Sequence, residues 1–257
     1  NTHGKVSSKN NSGYLEAAVG WKHTFSDDWS LSAGLDLVGA TQHFSSVWVQ
    51  QLYADVDYKS VRLSIGQKER YISMLDQRLS SGDMTFSPNA RPIPEINVSF
   101  PNYTVVPLTK EILKFKADFA VGKSLDNNYI LDKERAKYSL DALWHHKSLF
   151  FLLEDPNERF PFTLMFGLEH AAQWGGWTNH KDFGDIPQTF KDFLRVVLGK
   201  EGGSNATEND KANVYGNHLG TYDVKLGYKH AMFKVAAYKQ HIYGDNSGME
   251  YANWRDG

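Results

Sequence analysis

The sequence predicts an all-β chain: an antiparallel transmembrane outer-membrane β-barrel, an incomplete portion of a larger barrel, with a short amphipathic helix in a long loop. Three observations predict it. Segments of strand length place apolar residues at every second position, aromatic residues gather toward the segment ends, and the connections alternate between short and long. The pattern is plainest between Ser139 and Gly176, where two alternating strands flank a short polar turn. In the second of these strands Phe162, Leu164, Phe166, Leu168, His170, Ala172 and Trp174 fall on one face. Thr163, Met165, Gly167, Glu169, Ala171 and Gln173 fall on the other, because strand side chains alternate with period two. The first face suits lipid; the second is small and polar.

Taken in chain order, the first hairpin sets Leu15, Ala17, Val19, Trp21 and Phe25 against Tyr14, Glu16, Ala18, Gly20 and Lys22. Ser26-Asp27-Asp28 then turns the chain into Trp29, Leu31, Ala33, Leu35 and Leu37. Next, Leu52, Ala54, Val56 and Tyr58 oppose Gln51, Tyr53, Asp55 and Asp57; after Lys59-Ser60, Val61, Leu63 and Ile65 oppose Arg62, Ser64, Gly66 and Lys68. Further strands are expected near 95–106, 113–124, 139–153, 162–174, 217–230 and 232–243. Pro101 makes the first of these an edge, a bulge or no strand, since proline cannot donate to a ladder. The lipid-facing set is expected to include Leu15, Val19, Trp21, Leu35, Leu164, Phe166 and Leu168.

Consecutive antiparallel strands sort their connections by parity. One end collects 26–28, 59–60, 107–112, 154–161 and about Ala231, all short; the other collects 45–46, 73–94, 125–138, 175–216 and the stretch after 244, mostly long. This asymmetry belongs to outer-membrane barrels, whose long loops face outward. Within 175–216, Phe190, Phe193, Leu194, Val197 and Leu198 follow helical spacing, with Pro187 near the start and Gly199 at the stop. That helix is expected to dock on or over the barrel mouth in preference to lying on a membrane surface. Five of the eight prolines fall in 88–107, which is expected to be a rigid, irregular loop.

Composition narrows the function. A balance of 28 basic against 30 acidic residues gives no field favouring nucleic acid. No run approaches the roughly 20 apolar residues of a membrane-spanning helix, but barrel strands need only about 9–11 residues with alternate ones apolar. The mean hydropathy of −0.50 is therefore compatible with a barrel. The absence of cysteine removes disulfides, thiol catalysis and thiolate metal sites. NTHGKVSSKNNSG lacks a basic start followed by an apolar stretch, so an export signal is expected to have been removed or to lie outside this sequence. Residues 1–257 read as a single β-barrel domain, a fragment without evident plug or closing strands.

Catalytic patterns are missing: no HExxH, GxSxG or glycine-rich phosphate loop occurs. His145 and His146, adjacent on a strand, point to opposite faces and cannot chelate one ion together; Glu169 and His170 are separated in the same way. The acids Glu16, Asp36, Asp55, Asp57, Glu69, Glu169 and Asp223 admit a glycosidase pair. Interleaved with Arg62, Lys68, Arg70, Lys114, Lys116 and Lys225, they are better read as the charge-paired lining of a filled lumen. No catalytic residue, metal site or cofactor is expected.

Trp174, Trp177, Tyr251 and Trp254 stand at strand ends or in long-side loops, where a flat ring can stack on a sugar. The competing reading is the interface belt of tryptophan and tyrosine, favoured for Trp174 and evenly weighed for Trp177 and Trp254. Arg91 can meet an acidic sugar or pin the proline-rich loop, with the loop role favoured. These five residues are the candidate saccharide contacts.

The stretches GQKE at Gly66–Glu69, SSGDMTFSPNARPIPEI at Ser80–Ile96, LWHHKSLFF at Leu143–Phe151, GLEHAAQWGG at Gly167–Gly176 and GNHLGTYD at Gly216–Asp223 together resemble the capsule assembly Wzi family. The resemblance implies a barrel of the cell outer membrane, closed toward the periplasm by a helical plug. It implies a lectin that holds capsular or other surface polysaccharide, without catalysis. The implied partners are that polysaccharide, outer-membrane lipid and other outer-membrane proteins, not nucleic acid. The chain departs from the family at both ends, closing on YANWRDG without a terminal strand and starting without the plug's helical segment. A porin, a barrel enzyme acting on glycan or lipid, and a soluble glycan-binding β-sandwich are the rival expectations.

Overall fold

The computed structural model describes residues 3–7, 9–71, 74–76, 80, 82, 84–133, 138–179, 184–204, 206 and 214–244. Its strands are β1 (Gly13–Thr24), β2 (Trp29–Thr41), β3 (Val47–Tyr58), β4 (Val61–Gln67), β5 (Pro94–Val105), β6 (Leu113–Lys123), β7 (Ser139–Leu140), β8 (Leu143–Leu153), β9 (Phe162–Trp174), β10 (Trp177–Thr178), β11 (Asn217–Lys229) and β12 (Lys234–Gly244). Two helices, α1 (Asn127–Lys133) and α2 (Phe190–Leu198), lie in the long connections. Ten strands form one antiparallel sheet in the order β1-β2-β3-β4-β5-β6-β8-β9-β11-β12, while β7 and β10 pair separately. Among the described residues β1 and β12 are not joined to each other, so the sheet is open.

The expected strands are all present, with two adjustments. The segment expected over 139–153 is interrupted, because Asp141 adopts a left-handed backbone with φ of 56°. Its N–H turns to the Asn127 side chain at 2.9 Å, and the two residues before it peel away to pair with β10. The last hairpin turns at His230, whose N–H bonds the Phe233 carbonyl at 2.9 Å, so β12 begins later than 232. Pro101 falls inside β5, where the pairing with β6 shifts register between Phe100 and Thr104. That bulge is how the strand tolerates a residue with no N–H to donate.

The two faces of the sheet are inverted relative to a water-soluble protein. Leu15 is 80% exposed and Val19 67%, while Asp55, Glu169 and Asp223 are at most 2% exposed. Trp21, Leu164 and Phe166 are likewise exposed, and Leu35 and Leu168 half-buried. Apolar groups outward and carboxylates inward is the arrangement expected where the outer solvent is hydrocarbon. On the inner face, Arg62 pairs with Asp57 at 2.6 Å, Lys68 with Asp55, Arg70 with Glu95, and Lys114 with Glu154 at 2.8 Å. His146 and Ser148 both engage Asp118, which also accepts from Asn97 at 3.2 Å. The expected charge pairing is therefore seen for Arg62, Lys68, Arg70 and Lys114.

The connection between β4 and β5 folds across this inner face. Lys225 on β11 donates to the Met74 carbonyl at 3.0 Å, Lys116 on β6 to the Tyr71 carbonyl at 3.4 Å, and Thr85 donates to Glu169 on β9. Phe150 is fully buried against Met74, with Phe86, Tyr103 and Met165 around it. Its ring fits because residue 167, its cross-strand neighbour, is glycine: a Cβ there would stand 2.2 Å from the ring.

Helix α2 takes the opposite side. Thr189 and Asp192 form a reciprocal capping box, and Gly199 ends the helix in the left-handed conformation that glycine adopts freely. Its Val196 packs with Ala172, Trp174, Tyr215 and Ala206, and Phe193 meets the rings of Trp174 and His145, each at 5.9 Å. Lys147 donates to the Val197 carbonyl at the helix end. All the strand residues named here belong to the outer face, so the helix docks on the outer wall at the long-loop end and not over the mouth.

Candidate functional site

The inner face at the long-loop end contains a cavity of about 220 Å³. Its floor is built by strand ends: Glu95 is the second residue of β5, and Trp144 on β8 is the direct cross-strand partner of Gln173 on β9. Its walls are the β4–β5 connection, through Phe86, Arg91 and neighbouring residues, and the segment Lys68–Arg70. The Trp144 indole lies nearly parallel to the His146 ring, 9° apart at 6.5 Å, and Phe86 meets the same histidine edge-on at 5.7 Å. Arg91 holds its guanidinium 5.0 Å over the Trp48 ring, and the Trp48 N–H donates to Gln50 at 2.7 Å.

Of the five candidate saccharide contacts, the structure places one in this cavity. Arg91 lines it and is exposed. Trp177 lies elsewhere, on β10, 38% exposed with Tyr138 at 6.2 Å. Trp174 is only 6% exposed, enclosed by Phe193, Tyr215 and Val196 beneath α2. It is therefore neither a belt residue nor an open platform for a sugar: a loop from later in the chain covers the outer end of its strand. Tyr251 and Trp254 lie outside the described residues.

Sequence reasoning missed Trp144, Phe86 and Gln173. Trp144 carried a readable signal: it shares the phase of His146 and Ser148, and so is a large ring out of step with the lipid-facing stripe of its own strand. Phe86 carried none, since its place depends on how the β4–β5 connection folds inward.

Beside the cavity, carboxylate oxygens of Glu16, Asp36 and Glu69 converge within 4.8 Å, the spacing of a metal cluster. An ammonium already sits among them, with Lys5 bonding Glu16 at 2.7 Å and Glu69 at 3.0 Å. Burial alone lowers the pKa of Lys5, but the two carboxylates outweigh it and leave the group raised and firmly charged. The cluster is read as ion-paired. His145 and His146 point to opposite faces, the first against Ala120 and Phe193 and the second against Asp118, so no shared chelation arises.

These features define a class: a meandering antiparallel sheet with an apolar outer face, a polar filled interior and long connections at one end. Within that class the sequence matches the capsule assembly protein Wzi family over residues 1–257, and the chain belongs to that family. Among solved structures it is similar to Wzi of Escherichia coli, described as an outer membrane protein involved in group 1 capsule assembly and a carbohydrate-binding β-barrel. The TM-score is 0.55 at 15% identity, covering 90% of this chain and 47% of the other. The chain thus spans about half the length of that protein. A tryptophan-substituted porin of Rh. blastica aligns over 91% of this chain and 88% of its own at 10% identity, with a TM-score of 0.34. No curated protein matches the sequence.

Proposed function

We propose that this chain is part of an outer-membrane barrel that binds polysaccharide at the cell surface and attaches or organises capsule there, without turnover. The observation that carries this reading is the inverted sheet, apolar outward and polar inward, with a cavity lined by the rings of Phe86 and Trp144 at its long-loop end. Rings supply sugar-stacking faces and the polar lining supplies hydroxyl partners. Outer-membrane lipid covers the apolar wall. A passive porin fits less well, because the β4–β5 connection fills the inner face through bonds to β6, β9 and β11. An enzyme fits less well too: the inner carboxylates Asp55, Asp57 and Glu95 are engaged by Lys68, Arg62 and Arg70. The binding surface is assigned to the long-loop end, with Trp177, Trp254 and Tyr251 as candidate contacts.

Deletion of the gene in its own strain tests the reading. The expected phenotype is loss of surface-attached polysaccharide while the released polymer persists in the medium. A glycan array on the full-length protein sharpens it, with weaker binding expected for Trp177→Ala and Trp254→Ala. Product release from purified glycan that disappears in Glu169→Gln would move the case to an enzyme.

A further inference from the structure

The cavity inside the long-loop rim has an uneven charge balance. Lys68 is paired with Asp55 and Arg70 with Glu95, while Lys5 is shared between Glu69 and Glu16. Arg91 has no carboxylate and no hydrogen-bond acceptor among the described residues; its one polar engagement is the face of Trp48 at 5.0 Å. An aromatic face holds a guanidinium in place without consuming its N–H groups, which leaves the planar fork available. Trp144 also lines the cavity, and its indole N–H is buried and without a partner among the described residues. A donor left in that condition costs on the order of 1–3 kcal/mol unless a ligand accepts from it. Gln173, its cross-strand neighbour, is exposed at the same lip. Among the described residues, one unpaired guanidinium, one orphaned donor and one exposed amide around a space of about 220 Å³ describe a site with a definite complement.

We propose that this cavity is a subsite for a carboxylate-bearing sugar residue, a hexuronate, with its carboxylate on the Arg91 fork and its hydroxyl edge on the Trp144 N–H and the Gln173 amide. The assignment rests on the polysaccharide-binding reading and adds to it the class of sugar. Bidentate guanidinium–carboxylate pairing supplies both strength and orientation, while a neutral hexose would leave Arg91 uncompensated.

The test uses full-length protein in detergent, titrated calorimetrically with oligosaccharides hydrolysed from the producing strain's own surface polysaccharide. The sugars are presented native and after chemical reduction of their carboxyl groups. Reduction is expected to weaken binding at least tenfold, and Arg91→Gln to weaken binding of the native form by a similar factor. In Arg91→Gln the reduced and native forms are expected to bind alike, the non-additivity that marks a direct pair. Arg91→Lys, which keeps the charge and loses the fork, is expected to fall between. Trp144→Phe, which keeps a ring and removes the N–H, is expected to lose severalfold on both forms. Heat-modifiable gel mobility verifies that each variant folds. Equal binding of native and reduced sugar by the intact protein overturns the hexuronate subsite and leaves the lectin reading standing. No binding of either form removes both.

Discussion

On β9, Phe162, Leu164 and Phe166 are each 41% exposed on the outer face, whereas His170, Ala172 and Trp174, on that same face nearer the long loops, are at most 6% exposed. The alternation in sequence is unbroken across the two halves. What changes is the cover: the first half stands exposed, with only the turn residue Phe160 recorded beside Phe162 among the described residues, and the second lies beneath α2 and the residues around Tyr215. The polar content follows the cover. His170 hydrogen-bonds His218 at 2.8 Å, and His218 bonds the Tyr215 carbonyl at 2.8 Å. Such groups facing hydrocarbon directly would be costly, and they occur only on the half that is shielded. Strand period thus decides which face a residue takes, and a distant helix decides whether that face meets lipid.

The sharpest way to break this comparison is to place the same charge on each half. Phe166→Arg puts a cation on the bare wall and is expected to cost about 2–4 kcal/mol in folding from urea into lipid vesicles. Ala172→Arg instead crowds the Val196 side of α2. Its expected signature is a barrel that still inserts and resists protease, with new cleavage confined to 186–204. Identical global losses in the two variants would mean that α2 does not define a separate half.

A milder probe loosens the cover without touching the wall. Thr189→Ala removes the side chain that accepts from the Asp192 N–H and donates to its carboxylate at 2.6 Å. N-cap losses of this kind run to about 1 kcal/mol. The expected result is faster amide exchange in α2 with unchanged protection in β8 and β9, read by exchange and mass spectrometry. Unchanged exchange in α2 would show that docking through Val196 and Phe193 holds the helix without its cap.

How much of this was legible in the sequence follows the same divide. Period two placed Leu15, Val19 and Phe166 outside and Asp55 and Glu169 inside, because face is a local property of a strand. Polar clusters located the turns, and Gly199 marked the helix stop by the conformation it adopts. The cover over Trp174 was not legible: its neighbours Val196 and Tyr215 lie in a connection whose path depends on tertiary packing. The interface-belt reading of Trp174 failed for that reason. The candidate site was legible only in part. Arg91 was picked out as a cation in a stiff loop, Trp144 was missed although its phase carried a signal, and nothing local joined the two.

The smallest effect is expected at the opposite end, where the β8–β9 turn stands clear of both halves. Asp155 accepts from the N–H groups of Asn157 at 3.0 Å and Arg159 at 3.1 Å. The Asn157 N–H is the largest cause holding its carboxyl below the usual range, with the Arg159 side chain adding to it. A carboxyl whose pKa is lower folded than unfolded stabilises the fold above the unfolded value, about 3.9, and loses that contribution as pH falls through the folded value. Asp155→Asn keeps an acceptor and removes the titration. The difference in thermal midpoint between the wild type and this variant is therefore expected to be small at neutral pH. It should shrink further only below the ordinary carboxylate range, leaving amide protection of β9 next to α2 untouched. A difference that instead grows toward acid pH would reverse the sign, and would place the turn's stability in the protonated carboxyl rather than in its anion.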